Sequence, residues 1–415
     1  MLRIQLVGSK FLPEYAGAAL RIHHSYRRLR KLDDSLSLRV IAGSTEFAGP
    51  SSYVHDGIAV ERIASRLTPH WRRSHPLLGK VLHALRSWGE AMQVWLRLRR
   101  QDFDILHVFG SSSVTAAAIA WAAAKRVPLV IELVTTEAAP WQTLPALRIG
   151  GWLRHRLRKR SLIVAISAAL AERCAKQGLT TNVWSRPNPI DSTRFFPAFE
   201  QRAALRAQHT PFAASDFLLC MVAKFMPQKN QIFLIDVLVK LPDRFKLILA
   251  GPVVAQGPLS DRDQAYVAAI RRRIANFGLE RRVLLITEFV PADAYIKLAD
   301  VYMLPNRDEG LATPMLESLA CGVPVVANAS EAAFQQWIEP GRSGYLCPLD
   351  PDAWAEAIEG TAHFPTDRLL AAARLVAESA SAGQIDRQFL RLIQALAVLP
   401  RDGELDVAAL LRPPS

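Results

Sequence analysis

The sequence predicts an α/β protein made of two doubly wound halves, each a mostly parallel sheet with helices on both faces. Three observations carry this. Apolar runs of strand length alternate with helix-length amphipathic stretches along most of the chain. The 415 residues exceed what one simple core organises. A turn-rich segment, Arg186-Pro187-Asn188-Pro189-Ile190-Asp191 followed by Phe195-Phe196-Pro197, interrupts the alternation near the middle. The expected domains are therefore 1–192 and 193–380. Residues 381–415 are expected to form a C-terminal helix and tail, with the helix from Ile385 to Leu399 able to cross back over the first domain.

Composition narrows the class. Half the residues are apolar and 21% are charged, an ordinary globular balance. Cys174, Cys220, Cys321 and Cys347 have no short paired spacing, which argues against a disulfide frame or a zinc site. The N-terminal Leu2-Arg3-Ile4-Gln5-Leu6-Val7-Gly8 reads as a strand and not as a signal peptide. The longest apolar run, Val114 to Ala124, is too short to span a bilayer, so a cytoplasmic location is expected. The net charge of +13 is concentrated in the first 195 residues, which suggests an anionic partner for that half. A merely solvated basic face is the other reading.

The elements follow in order. After the first strand comes a loop, Ser9 to Ala16, and a helix from Gly17 carrying Leu20, Ile22, Tyr26 and Leu29 beside a basic face. Leu38 to Gly43 is the next strand. This opening lacks a G-x-G-x-x-G fingerprint, leaving Pro13-Glu14-Tyr15-Ala16-Gly17 as a loop where backbone could approach a ligand. From Thr68 to Arg100 the chain is rich in Trp, Leu and Arg. Leu78, Val81, Leu82, Leu85, Trp88, Met92 and Trp95 fall near helical spacing among basic residues. That stripe either packs on the domain core or lies on an anionic membrane surface. Strands at 103–108, 129–134 and 162–167 complete the first half. In the second, strands are expected at 217–222, 245–250 and 283–286, with helices at 230–241, 266–277 and 292–298.

Val301 to Pro305 and Val323 to Ala327 read as buried strands, and between them lies Asp308-Glu309-Gly310-Leu311-Ala312-Thr313-Pro314-Met315-Leu316-Glu317. Thr313 suits a helix N-cap, Pro314 the first helical position, and Gly322 the stop. Such a strand-loop-helix-strand unit binds ligands at the strands' carboxyl ends, and the free N–H groups of the helix start favour a negative one. Between an earlier strand and its helix, Lys224 and Lys229 flank the turn Phe225-Met226-Pro227-Gln228, a placement that suits a diphosphate.

Together these features resemble the nucleotide-binding domain of retaining GT-B glycosyltransferases of family 4. The resemblance rests on Ala223-Lys224, Lys229, Gly251, and the run from Pro305 through Glu309 and Glu317 to Gly322-Val323-Pro324-Val325-Val326. The first domain is similar more loosely, through the Pro13–Gly17 loop, Asp104–His107, Ile166-Ser167 and Asn188-Pro189-Ile190-Asp191. The resemblance implies a GT-B fold, two Rossmann-like domains facing across a cleft. It implies a nucleotide-diphosphate sugar as donor, a glycan or lipid-linked acceptor, and sugar transfer with retention of configuration in cell-envelope glycan synthesis. Glu317 would accept hydrogen bonds from the ribose hydroxyls and Glu309 would face the sugar. The backbone of Gly310, Leu311, Ala312 and Thr313 would touch sugar hydroxyls. Lys224 and Lys229 would hold the diphosphate, with the Gly17 backbone approaching from the other domain. No cofactor or metal is implied, and no nucleic-acid motif accompanies the basic charge. A peripheral place at the inner face of the cytoplasmic membrane is implied by the basic first domain.

The chain departs from the family pattern in places. Lys224 stands where the family has Arg, keeping charge without the planar fork. Thr313 or Ala312 stands for a second Gly, and Asn306 for a Ser. The family's strand-end His has Val134-Thr135-Thr136 in its place, which leaves either Thr135 or Glu137 as a substitute or a different acceptor geometry. His107 is read as a structural strand residue. The alternative reading of the whole chain is a GT-B-fold binding or assembly protein with impaired catalysis.

Overall fold

Runs such as Leu162-Ile163-Val164-Ala165 are buried along their whole length, as suits central strands of a parallel sheet covered on both faces. In the computed structural model, which describes residues 1–14, 16–44, 51–63, 76–133, 150–254, 260–307 and 311–412 (the side chains of 76–80 and 83 excepted), such runs build two sheets. The first contains β1 (Arg3–Gly8), β2 (Ser37–Gly43), β3 (Ser52–His55), β4 (Ile58–Ile63), β5 (Ile105–Phe109), β6 (Leu129–Leu133), β7 (Ser161–Ala165) and β8 (Val183–Ser185). Their order is β3-β4-β2-β1-β5-β6-β7-β8. Only the β3/β4 hairpin is antiparallel. Its turn, Asp56-Gly57, has both φ angles positive, the geometry that matches the twist of paired strands.

The helices of this unit are α1 (Gly17–Leu32), α2 (Pro76–Arg100), α3 (Ser113–Lys125), α4 (Gly150–Leu157) and α5 (Ala168–Lys176). Ser112 caps α3 reciprocally with Thr115. On one face of the sheet α1 buries Ala19, Ile22, Tyr26 and Leu29. The same core takes Ile385, Phe389, Leu392, Ile393 and Leu396 from α14 (Ala382–Val398). Phe389 stacks on Trp184, ring centroids 5.8 Å apart.

The second sheet contains β9 (Phe217–Val222), β10 (Phe245–Ala250), β11 (Val283–Ile286), β12 (Val301–Leu304), β13 (Val325–Asn328) and β14 (Gly344–Cys347), all parallel, in the order β11-β10-β9-β12-β13-β14. Its helices are α6 (Arg202–His209), α7 (Gln231–Lys240), α8 (Ser260–Asn276), α9 (Ala292–Leu298), α10 (Thr313–Ala320), α11 (Ala332–Gln335), α12 (Pro351–Thr361) and α13 (Thr366–Ser379). Trp354 of α12 is fully buried against Phe233 of α7.

The chain divides into Met1–Pro187 with Gly383–Ser415, and Asn188–Ala382. The sequence places the first boundary five residues later, after 192. The difference has a local cause: Ile190 N–H donates to the Ala380 carbonyl at 2.8 Å, and Ala382 N–H donates to the Ile190 carbonyl at 2.9 Å. The Pro-rich segment is thus bonded like a strand to the end of α13, inside the second unit. A short α15 (Val407–Leu411) ends the described chain in the first unit, capped by the Asp406 carboxylate.

Both sheets reverse their winding beside their first strand. In the second unit β10 lies on one side of β9 and β12 on the other. The loops after β9 and β12 therefore leave neighbouring strand ends in opposite directions, the topological switch point where open α/β sheets take ligands.

Candidate functional site

The loop after β9 holds Lys224 and Lys229, and the loop after β12 leads into α10, so the switch point lies between the two lysines and the start of α10. The two loops are tied directly. Arg307 N–H donates to the Gln228 carbonyl at 3.2 Å, and the Asn230 side-chain amide donates to the Pro305 carbonyl at 3.3 Å. Beneath them the Tyr302 hydroxyl bonds both the N–H and the carbonyl of Val222.

Gly251 brings a third loop close. Its φ is +149°, and a Cβ there would lie 2.1 Å from the Ala223 carbonyl oxygen, so only glycine lets the end of β10 pack on the Lys224 loop. Buried Gln231 locks that loop by donating to the Lys224 carbonyl at 2.9 Å.

Lys224 Nζ lies 3.2 Å from Oδ2 of Asp263, a fully buried carboxylate at the start of α8 that also pairs with Arg262 at 2.6 Å. The spacing of the two lysines points Lys224 at phosphate, and nothing near it in the sequence announces this carboxylate, 39 positions away. An ammonium has three N–H groups, and one directed at Asp263 fixes the side chain while the others keep donor capacity. Lys229 ends the 3₁₀ turn Pro227–Lys229 and is half-buried. Asn230 follows with φ +55°, a left-handed residue that turns the chain into α7.

Glu309 and Gly310 lie outside the described residues. Leu311 and Ala312 are buried. Thr313 differs from its expected role: α10 begins at Thr313, and Ala312 occupies the N-cap position without a side-chain bond. The Thr313 hydroxyl instead accepts from the buried Asn188 side-chain amide at 2.7 Å. Pro314 is the second helical residue, where its missing N–H is harmless. Ala312 thus offers no side-chain cap, and while the Met315 N–H turns back to the Ala312 carbonyl at 3.0 Å, the helix start keeps the dipole that suits an anion.

Glu317, one turn further, is half-buried. Burial raises its carboxyl to about 7; Arg194 opposes this and Asp293 adds to it. Arg194 also pairs with Asp293 at 2.6 Å and lies over the Phe195 ring. Phe289 is exposed and Val290 buried at the loop before α9.

Gly17 begins α1 of the first unit, exposed, with nothing within 4 Å of a Cβ built on it. That unit also contains a buried polar cluster that the sequence reading missed. Glu132, in β6, is 3.1 Å from Arg21 and 3.4 Å from Arg186, and its other oxygen is 3.7 Å from His107 Nε2. His107 Nδ1 bonds the Tyr26 hydroxyl at 2.8 Å. Burial lowers the His107 pKa to about 4, so the ring is neutral at pH 7. Burial opposes ionisation of Glu132, but Arg21 and Arg186 outweigh it and hold its carboxyl below the ordinary value. A charge inside the apolar run Leu129-Val130-Ile131-Glu132-Leu133 was the signal available. The segment Val134-Thr135-Thr136 with Glu137 lies outside the described residues.

Residues 216–363 match the family described as "Glycosyl transferases group 1", and residues 16–194 match "Glycosyltransferase Family 4". The lipopolysaccharide core biosynthesis mannosyltransferase LpsB of Rhizobium meliloti (strain 1021) is 27% identical over 238 residues, 56% of this chain and 62% of its own length. A GDP-mannose-dependent alpha-(1-6)-phosphatidylinositol monomannoside mannosyltransferase of Mycolicibacterium smegmatis is 28% identical over 234 residues, covering 52% and 56%. The matches thus span less than two thirds of the length of these two relatives. A GDP-mannose-dependent alpha-mannosyltransferase of Mycobacterium tuberculosis is 24% identical over 370 residues, covering 86% and 88%. Among solved structures, Anabaena HepE in complex with UDP and glucose superposes with a TM-score of 0.68 at 19% identity, over 95% of this chain and 100% of that one. Sucrose-phosphate synthase from Thermosynechococcus elongatus gives 0.70 at 17% identity, over 95% and 99%. The two family matches fall one on each unit and together span most of the chain, which therefore belongs to the group 1, family 4 glycosyltransferases and has the GT-B fold.

Proposed function

We propose that the protein transfers a sugar from a nucleotide-diphosphate sugar to an acceptor hydroxyl, with retention of anomeric configuration, in the synthesis of a cell-envelope glycan. The observation that carries this is the convergence of the Lys224–Lys229 loop and the uncapped start of α10 at one switch point. Departure of a nucleoside diphosphate builds negative charge on phosphate oxygens. Two ammonium groups and a helix start placed in advance stabilise that charge without a metal ion. In this reading Lys224 and Lys229 hold the diphosphate and the backbone from Gly310 to Thr313 meets sugar hydroxyls. Glu309 faces the sugar, and Glu317 accepts from the ribose.

Relatives named as GDP-mannose-dependent mannosyltransferases make GDP-mannose the first donor to test. Release of nucleoside diphosphate from GDP-mannose, UDP-glucose and ADP-glucose would be measured in parallel. Release from one donor, lost in Lys229→Ala, supports the proposal. No release from any of them, with no donor binding by calorimetry, would favour a binding protein that has kept the fold.

The acceptor is proposed to lie at the inner face of the cytoplasmic membrane, with the first unit as the peripheral contact. Val81, Leu85, Trp88, Met92, Trp95 and Leu96 of α2 are exposed at near-heptad spacing, with exposed Arg99 and Arg100 at the helix end. Among the described residues no helix is long and apolar enough to cross a membrane. An exposed Trp-bearing stripe beside basic residues suits the bilayer interface.

A further inference from the structure

We propose that the first unit has a second anion site, a phosphate-binding pocket at the amino-terminal edge of β6 and β7, on the edge of the sheet opposite the strand ends where α/β folds bind ligands. The depression itself has room for little more than a water molecule, and around its rim gather Arg126, Arg156, Lys159, Arg160 and Arg401, with Asp402 as the one carboxylate among the described residues that line it.

Its construction is unusual for a merely solvated surface. Arg126 closes α3 with φ +57° and Arg160 enters β7 with φ +48°, left-handed conformations that side-chain-bearing residues seldom adopt. Both are held there. The Arg160 guanidinium donates to the Arg126 carbonyl at 3.0 Å, and the Arg160 N–H donates to the Gly403 carbonyl at 2.9 Å. The tail is thereby pinned against the pocket and brings Arg401 with it. Asp402 neutralises only part of the charge, pairing with Arg126 at 3.1 Å and Lys159 at 3.8 Å.

The Nε atoms of Arg156 and Arg160 are buried without a hydrogen-bond partner. Burial and the neighbouring Arg401 both depress the Arg160 pKa, so these like charges are held together at a cost. Helix dipoles account for Arg126 and Arg156 at the carboxyl ends of α3 and α4. They do not account for Arg401, which comes from the tail, or for the two unpartnered guanidinium nitrogens. A tetrahedral phosphate at the rim would take the outer guanidinium and ammonium donors and cancel the excess charge, leaving the two Nε atoms buried beneath it. Exposed Trp152 of α4, with Arg156 over its ring, lies next to the pocket and suits an interface with lipid. The phosphate could thus come from a lipid headgroup or from solution. The site does not depend on the transferase reading.

The test uses the full chain at constant ionic strength. Glycerol 3-phosphate is titrated and followed by calorimetry, and flotation is compared on phosphatidylcholine vesicles with and without phosphatidylglycerol. Arg156→Gln/Arg401→Gln is set against the charge-matched control Arg30→Gln/Lys31→Gln, whose residues are on α1. The double variant should lose at least fivefold in glycerol 3-phosphate affinity, with the control unchanged. Loss in that arm only assigns the site to free phosphate, and loss on anionic vesicles assigns it to lipid. Equal behaviour of the double variant and the control in both arms overturns the proposal. Arg401→Gln alone removes an exposed side chain, so it keeps the test readable should the double variant fold poorly; about a threefold loss is expected.

Discussion

Glu317 has a carboxyl raised to about 7 by burial, against about 4.5 in an unfolded chain. The folded state therefore holds its proton more tightly than the unfolded state does. The contribution to stability is fully present below pH 4.5 and is lost as pH rises through 7. Glu317→Gln should be more stable than the parent at pH 8, by up to about 3 kcal/mol, and equal to it at pH 4. Denaturant titration at the two pH values checks this. In the proposed binding mode ribose hydroxyls donate to the ionised form, so donor affinity should rise with pH through about 7 and binding near pH 6.5 should release a proton. Calorimetry in buffers of different ionisation enthalpy reads that release, and Glu317→Gln should abolish it. Asp263 offers a second case. Asp263→Asn should cost roughly 1–3 kcal/mol, since it leaves Lys224 without its buried partner. Turnover should also fall as the ammonium loses its anchor. Unchanged kinetics in a folded Asp263→Asn protein would remove Asp263 from the site.

At the scale of elements, α10 shows how far pattern reading reaches. The helix, its proline and its glycine stop are local properties and were legible. The cap was not: Thr313 is a good N-cap by residue type, but Asn188, 125 positions away, takes its hydroxyl. Asn188→Ala should cost about 1 kcal/mol through that lost bond and weaken donor binding by loosening the helix start; thermal melts and donor titration check both. The α2 stripe was legible as apolar and helical, but periodicity cannot say whether such a stripe faces a core or solvent. The structure exposes Trp88 at 67% and Met92 at 63%. Trp88→Ser/Met92→Ser should therefore leave the melting temperature within a few degrees of the parent while reducing flotation on anionic vesicles several-fold. A large fall in melting temperature would instead mark the stripe as core.

At the scale of the whole molecule, the tail is part of the first unit's core. Phe389 is 4% exposed and touches Trp184, Tyr26 and His107. Phe389→Ala should cost about 3–5 kcal/mol, seen as a lower denaturation midpoint of the first unit.

What the amino-acid sequence determined by itself was whatever depends on neighbours in the chain. That covers the alternation of strands and helices, the two halves, and the spacing of Glu309, Glu317, Lys224 and Lys229. It covers the family resemblance as well, because those motifs are contiguous words. Only the tertiary structure decided which charges are partnered. Asp263 beside Lys224, Arg194 beside Asp293, and the Arg21–Glu132–Arg186 cluster join residues tens to more than a hundred positions apart. Coulombic and desolvation effects depend on distance and burial in space, and neither is written in local sequence.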